Sequence, residues 1–146
     1  MQKEAHILIV EDNQGDIVLM TKRFKELGIE CCISICRDGS EAKEYLEQQE
    51  NGKNVNIPDL IILDFNLPKK NGRELLHEIK TNERLMKTPI IVFTSSDDQD
   101  DVEDAYAEYA NSYVVKPFGL EKYYATIDAI YEFWIRSAKL PSGRPI

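Results

Sequence analysis

The chain carries five short apolar runs, separated by segments whose apolar residues recur at helical spacing. The runs lie at residues 6–10 (HILIV), 31–35 (CCISI), 60–63 (LIIL), 90–93 (IIVF) and 112–115 (SYVV). After the first run, four apolar side chains recur three or four positions apart, namely Ile17, Met20, Phe24 and Leu27. This spacing predicts an amphipathic helix that ends at Gly28.

Amphipathic segments also follow the second and third runs, and a longer one lies near the end of the chain. They span residues 40–50, 73–81 and 120–139. Near-continuous apolar strands that alternate with such helices predict an α/β fold, in which right-handed crossovers cover a parallel sheet on both faces. The polar stretch 47–58 is predicted to be a loop, and residues 140–146, with two prolines, a loose tail.

Composition is that of one globular domain. The 146 residues are 42% hydrophobic and 30% charged, which suffices for a single core. A net charge of −8 repels the phosphate backbone, so direct binding to nucleic acid is not expected. Since no apolar stretch is long enough to cross a bilayer and the first residues lack the pattern of a secretory signal, we expect a cytoplasmic protein without a membrane partner.

Three cysteines, Cys31, Cys32 and Cys36, lie in and just after the second run. In a strand, Cys32 and Cys36 share a face but lie about 13 Å apart, which is too far for a disulfide bond. No histidine or further cysteine completes a metal-ligand set. All three are therefore predicted to be small buried hydrophobic residues in a reducing compartment.

Polar side chains that suit phosphate chemistry follow four of the five runs. Glu11 and Asp12 follow the first run, Asp64 the third, Thr94 the fourth and Lys116 the fifth. Because open α/β sheets bind ligands at the carboxyl ends of their strands, we expect these side chains to converge at one edge. Any one of them alone is more often explained as a turn former or a helix cap, and the functional interpretation depends on their combination after four different strands.

Three clustered carboxylates repel one another, by about 4 kcal/mol for a pair about 4 Å apart at an effective dielectric constant of about 20. Lys116 neutralises one charge, and Mg²⁺, which prefers oxygen ligands and commonly joins phosphate chemistry, suits the remainder. Zinc is not expected, since His6 and His77 fall outside the constellation. A carboxylate beside Mg²⁺, a hydroxyl and a lysine is suited to accept a phosphoryl group, and Asp64 is the predicted acceptor.

Over residues 6–139 the chain resembles the receiver domain of bacterial two-component response regulators. The resemblance rests on four motifs: ILIVEDN with its acidic pair, LIILDFNLPKKNG with its aspartate and turn, IIVFTSS with its hydroxyl, and YVVKPF with its Lys-Pro. In finer detail the chain is similar to single-domain regulators that are paired with bacterial phytochrome histidine kinases. The resemblance implies a flavodoxin-like, doubly wound sheet of strand order 2-1-3-4-5 within residues 1–139.

The resemblance also implies an acceptor and a metal site. Asp64 would receive the phosphoryl group from a kinase phosphohistidine. Mg²⁺ would be held by Glu11, Asp12, Asp64 and the backbone carbonyl of Asn66. This is the only cofactor that the resemblance implies.

Three further residues receive roles from the same resemblance. Thr94 would contact a phosphoryl oxygen and Lys116 would form an ion pair with it. Tyr113 would be the aromatic residue whose rotamer changes together with Thr94. A cis peptide bond between Lys116 and Pro117 would turn the ammonium group into the site.

The predicted function is that of a single-domain response regulator, which catalyses only its own phosphorylation and dephosphorylation. The predicted partner is a sensor histidine kinase, with a bacterial phytochrome as the expected type.

The C-terminal part of the chain has more aromatic residues than one sheet-facing helix stripe needs. They are Tyr106, Tyr109, Tyr123, Tyr124, Tyr131, Phe133 and Trp134. We expect some of them to be exposed and to form a homodimer through the C-terminal βα units, although core packing explains any single one equally well.

Two alternative functions remain open at this stage. A phosphorylation-independent interaction module with the same fold would bind its partner regardless of Mg²⁺ and phosphodonors. A haloacid-dehalogenase-like phosphatase would need a second carboxylate two positions after its nucleophile, where this chain has Asn66.

Overall fold

The computed structural model describes residues 5–27, 31–52 and 55–141. Within these ranges, five strands alternate with five α-helices. The strands are β1 (Ala5–Val10), β2 (Cys31–Cys36), β3 (Leu60–Leu63), β4 (Ile90–Thr94) and β5 (Ser112–Val115). The helices are α1 (Gln14–Glu26), α2 (Gly39–Asn51), α3 (Gly72–Lys80), α4 (Gln99–Ala107) and α5 (Leu120–Tyr131), and a π-helical segment, Glu132–Ser137, continues α5.

All five strands pair in parallel, in the order β2-β1-β3-β4-β5. This confirms the predicted doubly wound sheet and its strand order. The register aligns the strand ends, since Val10 pairs with both Cys36 and Leu63, and Thr94 pairs with Val115. The residues that follow the strands therefore meet at one edge of the sheet.

A buried core lies on each face of the sheet, because successive strand residues point to opposite faces. Leu8 and Val10 of β1 pack in one core, together with apolar side chains of α2, α3 and α4. Ile7 and Ile9 pack in the other core, against α1 and α5. Each fully buried Leu or Ile contributes about 1.5–3 kcal/mol, so these two layers hold the helices on the sheet.

Several predicted boundaries differ from those in the structure. The predicted loop 47–58 is wrong in its first part, because α2 continues through Asn51. Helical structure at the C-terminal end stops at Ser137, two residues before the predicted end, and Leu140 is buried. The predicted helix stop at Gly28 and residues 142–146 lie outside the described ranges, so the domain boundary at residue 139 stays a prediction.

Other expectations are also revised by the structure. Cys36 is buried, and burial together with nearby acidic groups raises the pKa of its thiol to about 12. Cys32 is exposed, contrary to the prediction, because β2 is an edge strand; the Cys31 side chain lies outside the described part. No peptide bond in the described ranges is cis, so the expected cis bond before Pro117 is wrong. None of the described helices is long and apolar enough to cross a membrane.

Gly72, the first residue of α3, lies against the backbone that ends β3. A Cβ atom at this position would lie 2.5 Å from the Asp64 carbonyl oxygen and 2.6 Å from the Phe65 Cα atom. The absence of a side chain therefore lets α3 begin directly beside the end of β3.

Replacing Gly72 by alanine is expected to lower the free energy of unfolding by roughly 1–3 kcal/mol, because the two backbone segments must move apart. Urea unfolding measures the change. In the control Gly15→Ala, the added Cβ would meet the movable side-chain oxygen of Asn13 at 3.1 Å, so a smaller loss is expected. A Gly72→Ala variant as stable as wild type would contradict the close approach.

Candidate functional site

Asp64 lies directly after β3, buried at the edge of the sheet where the strands end. Both of its carboxylate oxygens accept hydrogen bonds. Thr94 Oγ1 donates to Oδ1 at 2.7 Å and the Asn66 amide donates to the same oxygen at 3.0 Å. Lys116 Nζ donates to Oδ2 at 3.1 Å. The fold thus brings a hydroxyl from β4 and an ammonium from the end of β5 onto one carboxylate.

Glu11 and Asp12 follow β1 and complete a carboxylate cluster with Asp64. One oxygen from each of the three lies within 4.8 Å of the others. Glu11 is buried and its Oε2 accepts the Asp12 amide at 3.1 Å, whereas Asp12 is exposed. A set of carboxylate oxygens with one exposed member fits a hard divalent cation that keeps some of its water. Asn66, whose carbonyl is the remaining predicted ligand, is exposed beside Asp64.

Lys116 is the cation of this site, and its side chain is only 9% exposed. Its Nζ contacts Glu11 Oε1, Asp16 Oδ2 at 3.1 Å and Asp64 Oδ2 at 3.1 Å. The ammonium lies 5.9 Å from the centre of the Phe93 ring. It reaches the carboxylates although the following peptide bond is trans.

The charges of the cluster shift the pKa values of its members. Burial and the neighbouring Asp64 carboxylate raise the pKa of Glu11 to about 8. Burial alone would raise the pKa of Asp64, but hydrogen bonds from Glu11, the Asn66 amide and Thr94 outweigh it and lower that pKa. Burial disfavours the charged Lys116, yet its hydrogen bond to Glu11 and the charge of Asp64 raise its pKa. A lowered pKa favours the ionised form of Asp64.

Two residues of the site were missed by the sequence reasoning. Asp16, in the first turn of α1, pairs with Lys116, and its Oδ1 accepts the hydroxyl of Tyr123 at 2.8 Å. Tyr123 lies on α5 and is 5% exposed. An acidic residue in the first turn of a helix is commonly explained by the positive end of the helix, so the position of Asp16 did not indicate its contact with Lys116. No local pattern indicates Tyr123, which is 107 positions away from Asp16.

Tyr113, on β5, lies in a connected group of side chains beside Asp64. Its ring meets that of Phe65 edge-on, with centroids 5.9 Å apart, and its hydroxyl donates to the Ser96 carbonyl at 2.8 Å. Ser96 Oγ donates to Asp101 Oδ2 at 2.5 Å, and Asp101 pairs with Arg73. The Arg73 guanidinium lies 5.5 Å from the centre of the Phe65 ring. These contacts link the residue after Asp64 to the start of α4.

The two histidines lie elsewhere. The buried His6 ring lies 2.8 Å from the Tyr45 hydroxyl and 3.1 Å from the Ser34 hydroxyl, with its Nδ1 3.1 Å from the Asn56 carbonyl oxygen. His77 lies 2.8 Å from a Glu108 carboxylate oxygen. The carboxylate cluster described above contains no histidine.

Comparison with protein-family models places this arrangement in a known family. The model of the response regulator receiver domain matches residues 7–128. The chain belongs to this family. The family is that of signalling proteins in two-component systems, and the predicted resemblance is confirmed.

Individual relatives resemble this receiver domain over nearly their whole length. It is 40% identical to the response regulator Rcp1 of Synechocystis, over 94% of this chain and 93% of Rcp1. It is also 40% identical to the probable methanogenesis regulatory protein FilR2 of Methanothrix harundinacea, over 88% of this chain and 83% of that protein.

Solved structures show the same fold. The phosphorylated cyanobacterial phytochrome response regulator RcpA superimposes with a TM-score of 0.88 at 38% identity, covering 95% of this chain and 99% of RcpA. The Mn²⁺-bound form of Rcp1 gives a TM-score of 0.87 at 39% identity, with coverage of 94% and 99%.

Replacing Asp12 by asparagine is expected to raise the free energy of unfolding of this receiver domain by about 1 kcal/mol in metal-free buffer, because one like charge leaves the cluster. Chemical denaturation with EDTA present measures the change. The control Asp100→Asn removes an exposed carboxylate at the start of α4, and there we expect no gain. An Asp12→Asn variant that is less stable than wild type would show that Asp12 is not repelled.

Proposed function

We propose that this protein is a single-domain response regulator, which accepts a phosphoryl group from a histidine kinase phosphohistidine onto Asp64 in a Mg²⁺-dependent reaction. One observation supports this above the others. A buried, ionised carboxylate is bonded to a hydroxyl, an amide and an ammonium, and two further carboxylates lie beside it. This set of groups supplies a nucleophile together with donors for the charge that arrives on it.

In the proposed step a phosphoryl group passes from the histidine of the kinase to the Asp64 carboxylate. A carboxylate oxygen of Asp64 attacks phosphorus, an O–P bond forms, and the P–N bond to the kinase histidine breaks. The imidazole leaves with the electron pair of that bond. Lys116 and Thr94 then donate hydrogen bonds to phosphoryl oxygens, since both already donate to Asp64.

Glu11, Asp12, Asp64 and the carbonyl of Asn66 are the proposed ligands of Mg²⁺. When bound, the ion neutralises charge on the phosphoryl oxygens during transfer. The clustered carboxylate oxygens support this assignment, as does the Mn²⁺-bound form of the relative Rcp1. The exposed position of Asp12 leaves the site open to a phosphodonor.

Thr94 and Tyr113 are proposed to carry the signal away from Asp64. Thr94 is fully buried and bonds to Asp64, so a phosphoryl group there must change its hydrogen bond. To convert a 1:99 population of the active state to 99:1, phosphorylation must favour that state by about 5.5 kcal/mol. A new dianion bonded to Lys116 and Thr94 can supply free energy of this order.

The proposed partner is a sensor histidine kinase of the bacterial phytochrome type. Support comes from RcpA, a cyanobacterial phytochrome response regulator that resembles this chain along 95% of its length. The proposed output is a change in protein contacts at the C-terminal βα units. This surface includes exposed apolar side chains at Tyr106, Tyr109, Val115 and Phe133.

Beryllofluoride, which mimics a phosphoryl group, is expected to bind wild-type protein in the presence of Mg²⁺ and to stabilise it against thermal unfolding. EDTA or the Asp64→Asn substitution is expected to abolish the effect, and Asp12→Asn to raise the Mg²⁺ concentration required. Labelling with acetyl phosphate should follow the same pattern. The control Asp100→Asn should behave as wild type, because this side chain lies outside the cluster.

Three results would contradict the proposal. Labelling of Asp64→Asn would place the acceptor elsewhere. No response of wild type to Mg²⁺ and beryllofluoride, with partner binding intact, would favour the interaction module. Steady release of phosphate from a phosphomonoester would favour the phosphatase instead.

A homodimer through the C-terminal βα units is expected to be weakened by Tyr109→Asp, because Tyr109 is 75% exposed and a charge there opposes burial in an interface. Analytical ultracentrifugation with and without beryllofluoride measures the dissociation constant. Val55→Asp, at a residue that is 57% exposed and lies before β3, is the matched control. A dimer that is equally tight in both variants would place the interface elsewhere.

A further inference from the structure

The Lys116 ammonium has more partners than the proposed phosphotransfer uses. Its Nζ contacts Glu11, Asp64 and Asp16. Glu11 and Asp64 belong to the carboxylate cluster that could hold a metal ion, whereas Asp16 does not. Asp16 therefore contacts the lysine from the side of α1, without belonging to the proposed metal site.

Asp16 is held in place by two different elements. Its amide donates to the side-chain oxygen of Asn13 at 3.0 Å, which fixes the first turn of α1. Its Oδ1 accepts the Tyr123 hydroxyl at 2.8 Å, while its Oδ2 faces Lys116 at 3.1 Å. Tyr123 is itself packed edge-on against Phe93, with ring centroids 5.4 Å apart. The carboxylate is thus oriented toward the ammonium before any phosphoryl group arrives.

The number of N–H donors on Lys116 limits how many negative groups it can bind in the phosphorylated state. An ammonium group has three N–H donors, and here three carboxylates surround it. A phosphoryl group on Asp64 brings further negative oxygens that need the same donors. Asp16 also adds a negative charge 3.1 Å from the lysine, which repels the incoming dianion.

We propose that Asp16, oriented by Tyr123, competes with the phosphoryl group on Asp64 for the Lys116 ammonium and so weakens the phosphorylated state. Asp16 is then a positioning residue that acts through Lys116. The inference rests on the proposed function, because it concerns the state in which Asp64 carries a phosphoryl group. It adds a residue of α1 and a residue of α5 to the control of that state.

The test measures the beryllofluoride concentration that half-saturates the full chain, by calorimetric titration at a Mg²⁺ concentration that saturates each variant. Asp16→Asn is expected to lower this concentration at least about fivefold, because the competing charge is gone. Asp16→Ser removes the same charge with a smaller side chain and is expected to act in the same direction. Asp16→Glu restores the carboxylate and is expected to return the value toward that of wild type.

Asp128→Asn is the matched control. Asp128 of α5 pairs with Arg23 of α1 at 2.7 Å, so this variant breaks an ion pair between the same two helices away from Lys116. It is expected to leave half-saturation unchanged. Chemical denaturation of every variant separates changes in binding from changes in folding.

The outcomes are distinct. Wild type that responds to beryllofluoride while Asp16→Asn and Asp16→Ser bind it equally well or more weakly would overturn the inference alone. A shift in Asp128→Asn as large as that in Asp16→Asn would also overturn it, since contact between the helices would then be the cause. Wild type that does not respond at all would overturn the proposed function and this inference with it.

Discussion

The site depends on the ion pairs of one buried ammonium group, that of Lys116. Lys116 is the only cation that the described residues place against Glu11, Asp16 and Asp64. Its positive charge offsets part of the repulsion among these carboxylates. Hydrogen bonds from Glu11, the Asn66 amide and Thr94, together with the charge of Lys116, lower the pKa of Asp64, whereas burial and the neighbouring Asp64 raise the pKa of Glu11 to about 8. The pKa values of Asp64 and Glu11 are therefore set by one electrostatic balance.

The parallel sheet brings these charged groups together although they are far apart in sequence. Glu11 and Lys116 are separated by 105 positions, yet they follow strands whose ends lie at the same edge. Thr94 closes β4 and pairs with Val115, which directly precedes Lys116. The Lys116 amide donates to the Thr94 carbonyl at 2.7 Å, so the backbone ladder itself sets the distance between the hydroxyl and the ammonium. Both functional groups are placed by strand register rather than by a flexible loop.

The elements that were predicted correctly are those with a strong periodic pattern of apolar residues. The five apolar runs became strands within one residue at each end, and the residues after them converged as expected. Asp16 and Tyr123 were missed for a physical reason. Each lies on an amphipathic helix where the apolar pattern explains its neighbours, and their contact depends on how α1 and α5 cross the sheet. Such contacts between helices are set by three-dimensional packing, which spacing along the chain does not encode.

Predictions from local sequence also failed where the position of an element in the fold decided its structure or burial. Residues 47–50 fell within both the predicted amphipathic segment 40–50 and the predicted loop 47–58. In the structure α2 continues through Asn51, because polar side chains on an exposed helix face are compatible with a helix. Cys32 was expected to be buried because it lies in an apolar run. It is exposed, since β2 is at the edge of the sheet and pairs with one neighbouring strand. In both cases the deciding factor was the position of the element in the fold, which emerges only after the sheet is assembled.

The contacts beside Asp64 extend from the end of β3 to a helix. Phe65 follows Asp64 directly, and its ring packs against both the Tyr113 ring and the Arg73 guanidinium. Arg73 pairs with Asp101 of α4, and Asp101 accepts the hydroxyl of Ser96. The set closes on itself, because Tyr113 donates to the Ser96 carbonyl. These packed rings, hydrogen bonds and the ion pair join the β3–α3 loop to the start of α4.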